Sequence, residues 1–327
     1  MVNNNQFIPS DEYKFINYLS ANLDSQYIGD DCALIDNNYL ITSDCQIEGT
    51  HFSLDYAKPY EIGLRLVYVN ISDIAAMGGI PKYIQIMLNV PEKLSQYFLK
   101  QLYQGIIDAC KKYKIKITGG NIAKSNYNLA LSATLIGLKH DLGIATRNHF
   151  RPGYDIVVTG DCGLSHTGLW HLNNIGRNPR LNSVIRHLQP IPRLAEAWIL
   201  LAMTNAKLAL IDTSDSIYET LGHIYQANSY GININVDNLP LNHETFTYAQ
   251  MANCNPYAWA LYGGEDYELL ACMEANLYQD INKALKKQNF LIQLNKIGEV
   301  TKNNSFDLNE SKLLKKDKQS ISFEHLK

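Results

Sequence analysis

The sequence predicts an α/β (α+β) chain made of two domains in series, and three observations carry that expectation. Strand-like and helix-like apolar patterns alternate along both halves. A polar stretch from Lys139 to Gly153 ends in Arg151-Pro152-Gly153 and gives way to a fresh apolar run, Ile156-Val157-Val158. The length of 327 residues gives room for two ordinary domains, expected at residues 1–138 and 150–327.

Tyr39-Leu40-Ile41 reads as a strand that ends in a polar turn, Thr42-Ser43-Asp44. Pro59 stands where a first-turn proline belongs. A helical pattern runs from it to Gly78-Gly79, with Pro81 just beyond. Leu94 to Tyr113 predicts a second helix, and Leu129 to Gly137 an apolar strand. After the linker, a helix over Leu194–Ala206, a strand over Leu208–Ile211 and a helix from about Asp215 to Ala227 repeat the alternation. From Lys302 the tail is polar and lysine-rich, and only Ile321-Ser322-Phe323-Glu324-His325-Leu326 reads as structured.

Composition narrows the function classes. A hydrophobic content of 46% with 19% charged residues is that of a soluble globular protein. The net charge of −3 supplies no general attraction to nucleic acid or to an anionic membrane. No apolar run is long enough to cross a bilayer, and Met1-Val2-Asn3-Asn4-Asn5-Gln6 lacks the basic start of a signal peptide. The cysteines, Cys32, Cys45, Cys110, Cys162, Cys254 and Cys272, are scattered without a C-x-x-C pair. That spacing predicts reduced, mostly buried thiols in a cytoplasmic protein and disfavours zinc.

The candidate chemistry is carried by acids. Asp73 falls four residues after Val69 and three before Ala76, on the helix face marked by Ile62 and Leu66. A carboxylate on an apolar face needs a cation or donors to compensate it, although a loop cap or one arginine would also serve. Three further acidic motifs stand at predicted turns and strand ends: Gly29-Asp30-Asp31, Thr42-Ser43-Asp44 and Asp212-Thr213-Ser214-Asp215. Each alone is more often a cap or turn. Were they to converge, their mutual repulsion would call for a multivalent cation. Oxygen ligands without His or Cys point to magnesium, which commonly bridges to nucleotide phosphates. No G-x-x-x-x-G-K-[ST] loop is present, so a nucleotide site would be of another kind.

In order along the chain, the motifs resemble those of the thiamine-monophosphate kinase family, part of the superfamily of aminoimidazole ribonucleotide synthetase. The matching stretches begin with Gly29-Asp30-Asp31-Cys32-Ala33-Leu34, Thr42-Ser43-Asp44, Glu48-Gly49-Thr50-His51-Phe52 and the run from Val69 to Gly78. They continue with Gly119-Gly120-Asn121, Thr146-Arg147, Arg151 to Asp155, Pro190 to Arg193 and Ile211 to Asp215, and end with Gly263 to Leu269 and Phe323 to Leu326. The resemblance implies a two-domain aminoimidazole ribonucleotide synthetase-like fold, with the N-terminal domains of a homodimer pairing into a shared barrel. It implies direct phosphorylation of thiamine monophosphate by ATP with Mg2+. By the same resemblance Asp31, Thr42, Ser43, Asp44, Asp73, Asn121, Asp212 and Asp215 would hold magnesium, with Asp44, Asp73 and Asp212 at the reacting phosphates. Gly120, Asn121, Arg147 and Ser214 would meet ATP, and His51, Glu265 and Phe323 the thiamine end.

The chain departs from the family pattern at four places. Asn121 replaces an Asp, which implies a weaker metal site. Ser216 stands for a Gly, Leu164 for an Asp and Phe323 for a Tyr. The alternatives are another ATP-dependent member of the superfamily and a catalytically weakened nucleotide-binding homologue. The selenophosphate synthetase reading lacks its reactive Cys/Lys pair, and the hydrogenase-maturation reading lacks its C-terminal cysteine.

Overall fold

The computed structural model describes residues 11–23 and 27–309. Helix α1 (Asp11–Asn22) is followed by β1 (Ala33–Ile35), β2 (Tyr39–Ile47), α2 (Pro59–Ala76), β3 (Ile80–Pro91), α3 (Gln96–Lys112), β4 (Lys116–Ser125) and β5 (Ala130–Leu138). The strands form one sheet in the order β1-β2-β5-β3-β4, in which only β3 and β4 run parallel. Alternation sets its faces: Leu40, Thr42 and Gln46 point inward with Leu131, Ala133 and Leu135, while Ser43, Cys45 and Ile47 point outward.

Helices α2 and α3 pack close together because two glycines face each other. A Cβ on Gly63 would sit 2.0 Å from the Leu102 carbonyl oxygen, and one on Gly105 2.0 Å from that of Tyr60. Any side chain at either position would push the helices apart. Pro59 opens α2, and the Glu61 carboxylate accepts the Lys58 N–H at 2.9 Å, closing the first turn.

The second half holds β6 (Asp155–Thr159), α4 (Leu164–Asn174), α5 (Asn182–Leu188), α6 (Leu194–Thr204), β7 (Ala209–Asp212), α7 (Ile217–Gln226) and β8 (Gly231–Asn235). It continues with α8 (His243–Met251), α9 (Pro256–Tyr262), β9 (Leu269–Met273), α10 (Leu277–Lys287), β10 (Leu294–Thr301) and β11 (Phe306–Asn309). Its sheet has the order β11-β8-β10-β6-β9-β7, with β8 and β11 the parallel pair.

The two sheets are separate, yet the larger apolar core spans both halves. It joins Ile62, Leu66 and Ile71 of α2 to Leu194, Leu200 and Leu201 of α6 and to Leu210 of β7. Helix α2 is therefore buried on nearly every side, not on one face as its Ile62–Leu66–Val69–Ala76 spacing predicts. Polar clips cross the same boundary: Trp198 Nε1 donates to Gly79 O at 3.0 Å, and Arg177 pairs with Glu61. Among the described residues no helix is long and apolar enough to cross a membrane.

Several expectations change. Thr42-Ser43-Asp44 lies inside β2, which pairs with β5 over nine residues; threonine is at home in a strand, and the pairing carries the chain through. The alternation of Ile84, Ile86 and Leu88 with Gln85, Met87 and Asn89 marks β3, a strand the sequence reading passed over, as it did β4. Phe306–Asn309 adds β11 within the tail, whereas 321–326 lies outside the described residues. Ser216 has an ordinary φ of −66° and caps α7, its hydroxyl accepting the Glu219 N–H at 3.1 Å. Leu164 is buried at the start of α4, where Asp266 takes over the capping through Gly163 N (2.6 Å) and Ser165 N (2.9 Å).

Candidate active site

Three elements remote in sequence bring their acids to one point. Asp31 comes from the turn before β1, Asp73 from the last turn of α2, and Asp212 from the end of β7. One carboxylate oxygen of each lies within 4.8 Å of the others. Burial, then Asp44, Asp212 and Asp31, push the Asp73 carboxyl well above the ordinary range. Burial and Asp31 likewise raise Asp212 to about 7, against hydrogen bonds from Ser72 and Ser214. Such crowding is unfavourable unless a cation compensates it. An oxygen-only donor set of this charge fits a hard divalent ion such as magnesium.

Hydroxyl groups fix the orientation of the acids. Thr42 Oγ1, on the inward face of β2, donates to Asp73 Oδ2. Ser72 Oγ donates to Asp212 Oδ2 at 2.6 Å, and Ser214 Oγ to Asp212 Oδ1 at 3.0 Å. Asp44 lies two residues beyond Thr42 on the same face, and its N–H donates to Asn70 Oδ1 at 3.3 Å. Ser72 escapes sequence reading because its neighbours are apolar or acidic and nothing marks the hydroxyl as facing another half of the chain.

Arg147 reaches the same cluster from the linker. Its Nη2 donates to Asp31 Oδ1 at 2.7 Å, and its backbone N–H donates to Asp30 Oδ1 at 2.7 Å. With Asp31, Asp73, Ser214, His223 and residues of α1, it lines a cleft of about 540 Å³. A cleft of that size holds a ligand of nucleotide dimensions.

The Gly263–Leu269 loop packs against the Asp212–Asp215 loop, with Glu265 N donating to Ser214 O at 2.8 Å and Tyr267 N to Thr213 O at 3.1 Å. Glu265 itself is enclosed. Its carboxylate takes a short ion pair from Arg65 of α2 and stands 3.7 Å from His187 Nδ1. Arg65 also donates to Gln46 Oε1 at 2.8 Å and to the His187 carbonyl. The expected thiamine contact is thus a buried link between the two halves in this conformation. Sequence reading missed its partners, because an arginine inside an apolar helix gives no hint of what it meets.

Other expected residues stand apart from the cluster within one chain. The Ser43 hydroxyl faces outward and bonds Thr134 Oγ1 at 2.8 Å, since strand alternation turns it away from Thr42 and Asp44. Asn121 pairs through Met87 and Ser132 with Cys45, on that same outward face. It lies three strand spacings from β2, roughly 14 Å. Gly120 pairs with Ile86 so closely that a Cβ would meet the Ile86 carbonyl oxygen at 1.8 Å, a structural reason for glycine there. Asp215 faces His223 Nε2 at 3.6 Å. His51 sits in the turn after β2, its Nδ1 accepting the Ile47 N–H at 3.1 Å. Phe323 lies outside the described residues.

Residues 29–139 match the family model described as AIR synthase related protein, N-terminal domain. A thiamine-monophosphate kinase of Aquifex aeolicus is 34% identical over 265 residues, 79% of this chain and 84% of that protein. The structure of AaThiL complexed with AMPPCP and TMP superposes with a TM-score of 0.81 at 31% identity, covering 92% of this chain and 94% of that one. A hydrogenase maturation protein, HypE of E. coli, shares the fold alone, with a TM-score of 0.68 at 16% identity over 91% and 94% of the two chains.

Proposed function

The chain belongs to the thiamine-monophosphate kinase family, and from this we infer that it transfers the γ-phosphoryl group of ATP to thiamine monophosphate. The products are thiamine diphosphate and ADP. The observation that carries this reading is the meeting of Asp31, Asp73 and Asp212 within 4.8 Å at a nucleotide-sized cleft.

The attacking group is a phosphate oxygen of thiamine monophosphate, which is largely ionised at neutral pH. Transfer therefore needs no general base, and the protein's task is positioning and charge compensation. Asp31, Asp73 and Asp212, joined by Asp44, would hold Mg2+, and Thr42, Ser72 and Ser214 keep these carboxylates aimed through the bonds already described. The bound cation supplies neutralisation of the triphosphate and of the charge that develops on it. Arg147 lines the same cleft and offers a guanidinium to the nucleotide phosphates. His51 is assigned to the thiamine end. Glu265 reaches that end only if the Arg65 pair opens.

The active assembly is a homodimer joined through the outward face of the first sheet. Tyr39, Ile47, Tyr83 and Met87 are exposed there, a row of large apolar side chains that a second copy would cover. Such pairing is the route by which Gly120 and Asn121 would approach a partner's nucleotide.

The test is a turnover assay with Mg2+ and ATP, offering thiamine monophosphate beside free thiamine and following thiamine diphosphate by chromatography. Thiamine diphosphate formed from the monophosphate alone supports the reading. Release of ADP without thiamine diphosphate contradicts it.

A further inference from the structure

Both oxygens of Asp31 face one guanidinium: Arg147 Nη2 lies 2.7 Å from Oδ1 and Nε 3.4 Å from Oδ2. Asp31 is also one of the three acids whose oxygens converge within 4.8 Å. A guanidinium stays charged at any working pH. A divalent ion held by these acids therefore sits a few ångströms from a fixed positive charge, which opposes its binding.

We propose that Arg147 competes with the divalent cation for Asp31, so that the cation loads together with the nucleotide. The inference rests on the reading that Asp31 helps hold that cation. The backbone leaves the side chain free to change partners. The loop is anchored through the Arg147 N–H on Asp30 Oδ1 at 2.7 Å, a bond that does not involve the guanidinium. Arg147 lines the cleft beside Ser214 and Asp73, so rotation of its side chain alone turns the charge from Asp31 to an anion in the cleft. Nucleotide phosphates arriving there attract the guanidinium and free Asp31 for the cation. Cation and nucleotide then strengthen each other's binding reciprocally, as linkage requires, and the bare ion is held weakly. Removing the guanidinium has opposite effects on the two ligands: the bare cation binds more tightly, and the nucleotide more weakly. A residue that served only to fold the loop would move both in the same direction.

The experiment is a Mn2+ titration of the nucleotide-free full chain, read by electron paramagnetic resonance, for wild type, Arg147→Gln and Arg147→Lys. Arg147→Gln is expected to bind Mn2+ at least tenfold more tightly than wild type. Arg147→Lys, which keeps the charge but loses the two-point contact, falls between them and remains a test if the Gln variant fails to fold. Adding AMPPCP should tighten Mn2+ binding strongly in wild type and much less in Arg147→Gln. Adding Asp31→Asn to the Gln variant should abolish the gain. Unchanged or weaker Mn2+ binding in both Arg147 variants overturns the proposal, as does a gain that survives Asp31→Asn. A chain that makes thiamine diphosphate while its Arg147 variants bind Mn2+ like wild type refutes this inference and leaves phosphoryl transfer standing. Tightened Mn2+ binding in a chain that makes no thiamine diphosphate supports the competition at Asp31 and refutes transfer to thiamine monophosphate.

Discussion

Arg65 is the most exposing residue to perturb, because four groups from three segments depend on it. Its guanidinium holds Gln46 Oε1 at 2.8 Å, the His187 carbonyl and the Glu265 carboxylate, and lies 5.6 Å from the Tyr267 ring centroid. Burial, the largest single influence, lowers its pKa, but Glu265 together with Tyr267 and Tyr56 carries the net direction upward. Arg65→Met keeps an unbranched apolar stem and removes every donor. Glu265, 4% exposed, is then left with His187 Nδ1 at 3.7 Å. That imidazole is held neutral, its pKa driven well down by burial before any effect of neighbouring charge. Breaking a buried pair in this way costs about 3–5 kcal/mol, a large share of the ~5–15 kcal/mol that keeps a domain folded. The assay is urea unfolding followed by circular dichroism at neutral pH, comparing midpoints at equal slope. Arg65→Met combined with Glu265→Gln should recover about 2 kcal/mol or more, because the stranded charge is gone. A loss below about 1 kcal/mol, or losses that simply add in the double variant, would refute the buried-link account.

Two further outcomes follow from the same geometry. Asp73→Asn should lower turnover by a factor of about 100 or more, since it removes a carboxylate that would hold the cation at the reacting phosphates, while raising the melting temperature of the metal-free protein by relieving carboxylate repulsion. Near wild-type turnover would remove Asp73 from the site. Asp266 titrates at about 7 because burial outweighs the Ser165 and Gly163 N–H bonds it accepts. Between about pH 4 and 7 the folded chain keeps a proton on Asp266 that the unfolded chain has released. Raising pH through that window should therefore weaken wild type relative to Asp266→Asn, by at most about 1.4 kcal/mol per unit. A stability difference that stays flat with pH contradicts the assignment.

The local grammar of the chain was legible where one signal was strong. Pro59 and the Gly78-Gly79 pair bracket α2 correctly, and the apolar run at 156–158 marks β6. Asp73 stood out because a carboxylate on an apolar face demands compensation. What eluded the sequence was long-range pairing. Ser43 and Thr42 are neighbours and equally polar, yet strand alternation sends one outward to Thr134 and the other inward to Asp73. Glu265 carried a family motif, but only the fold reveals that Arg65, 200 residues earlier, encloses it. Asn121 read as a metal ligand by position in its motif, and strand register places it on the outward face of the sheet, apart from the acids of its own chain. Contacts of this kind depend on register and on which helix crosses which sheet, and neither is written in local periodicity.

The central claim is that Asp31, Asp73 and Asp212 hold the cation that accompanies ATP. It is tested most directly by anomalous diffraction from crystals grown with Mn2+, AMPPCP and thiamine monophosphate. Manganese peaks are expected between these three carboxylates, with the terminal phosphate of the analogue alongside. Peaks coordinated by other side chains, with the three acids unliganded, would contradict it.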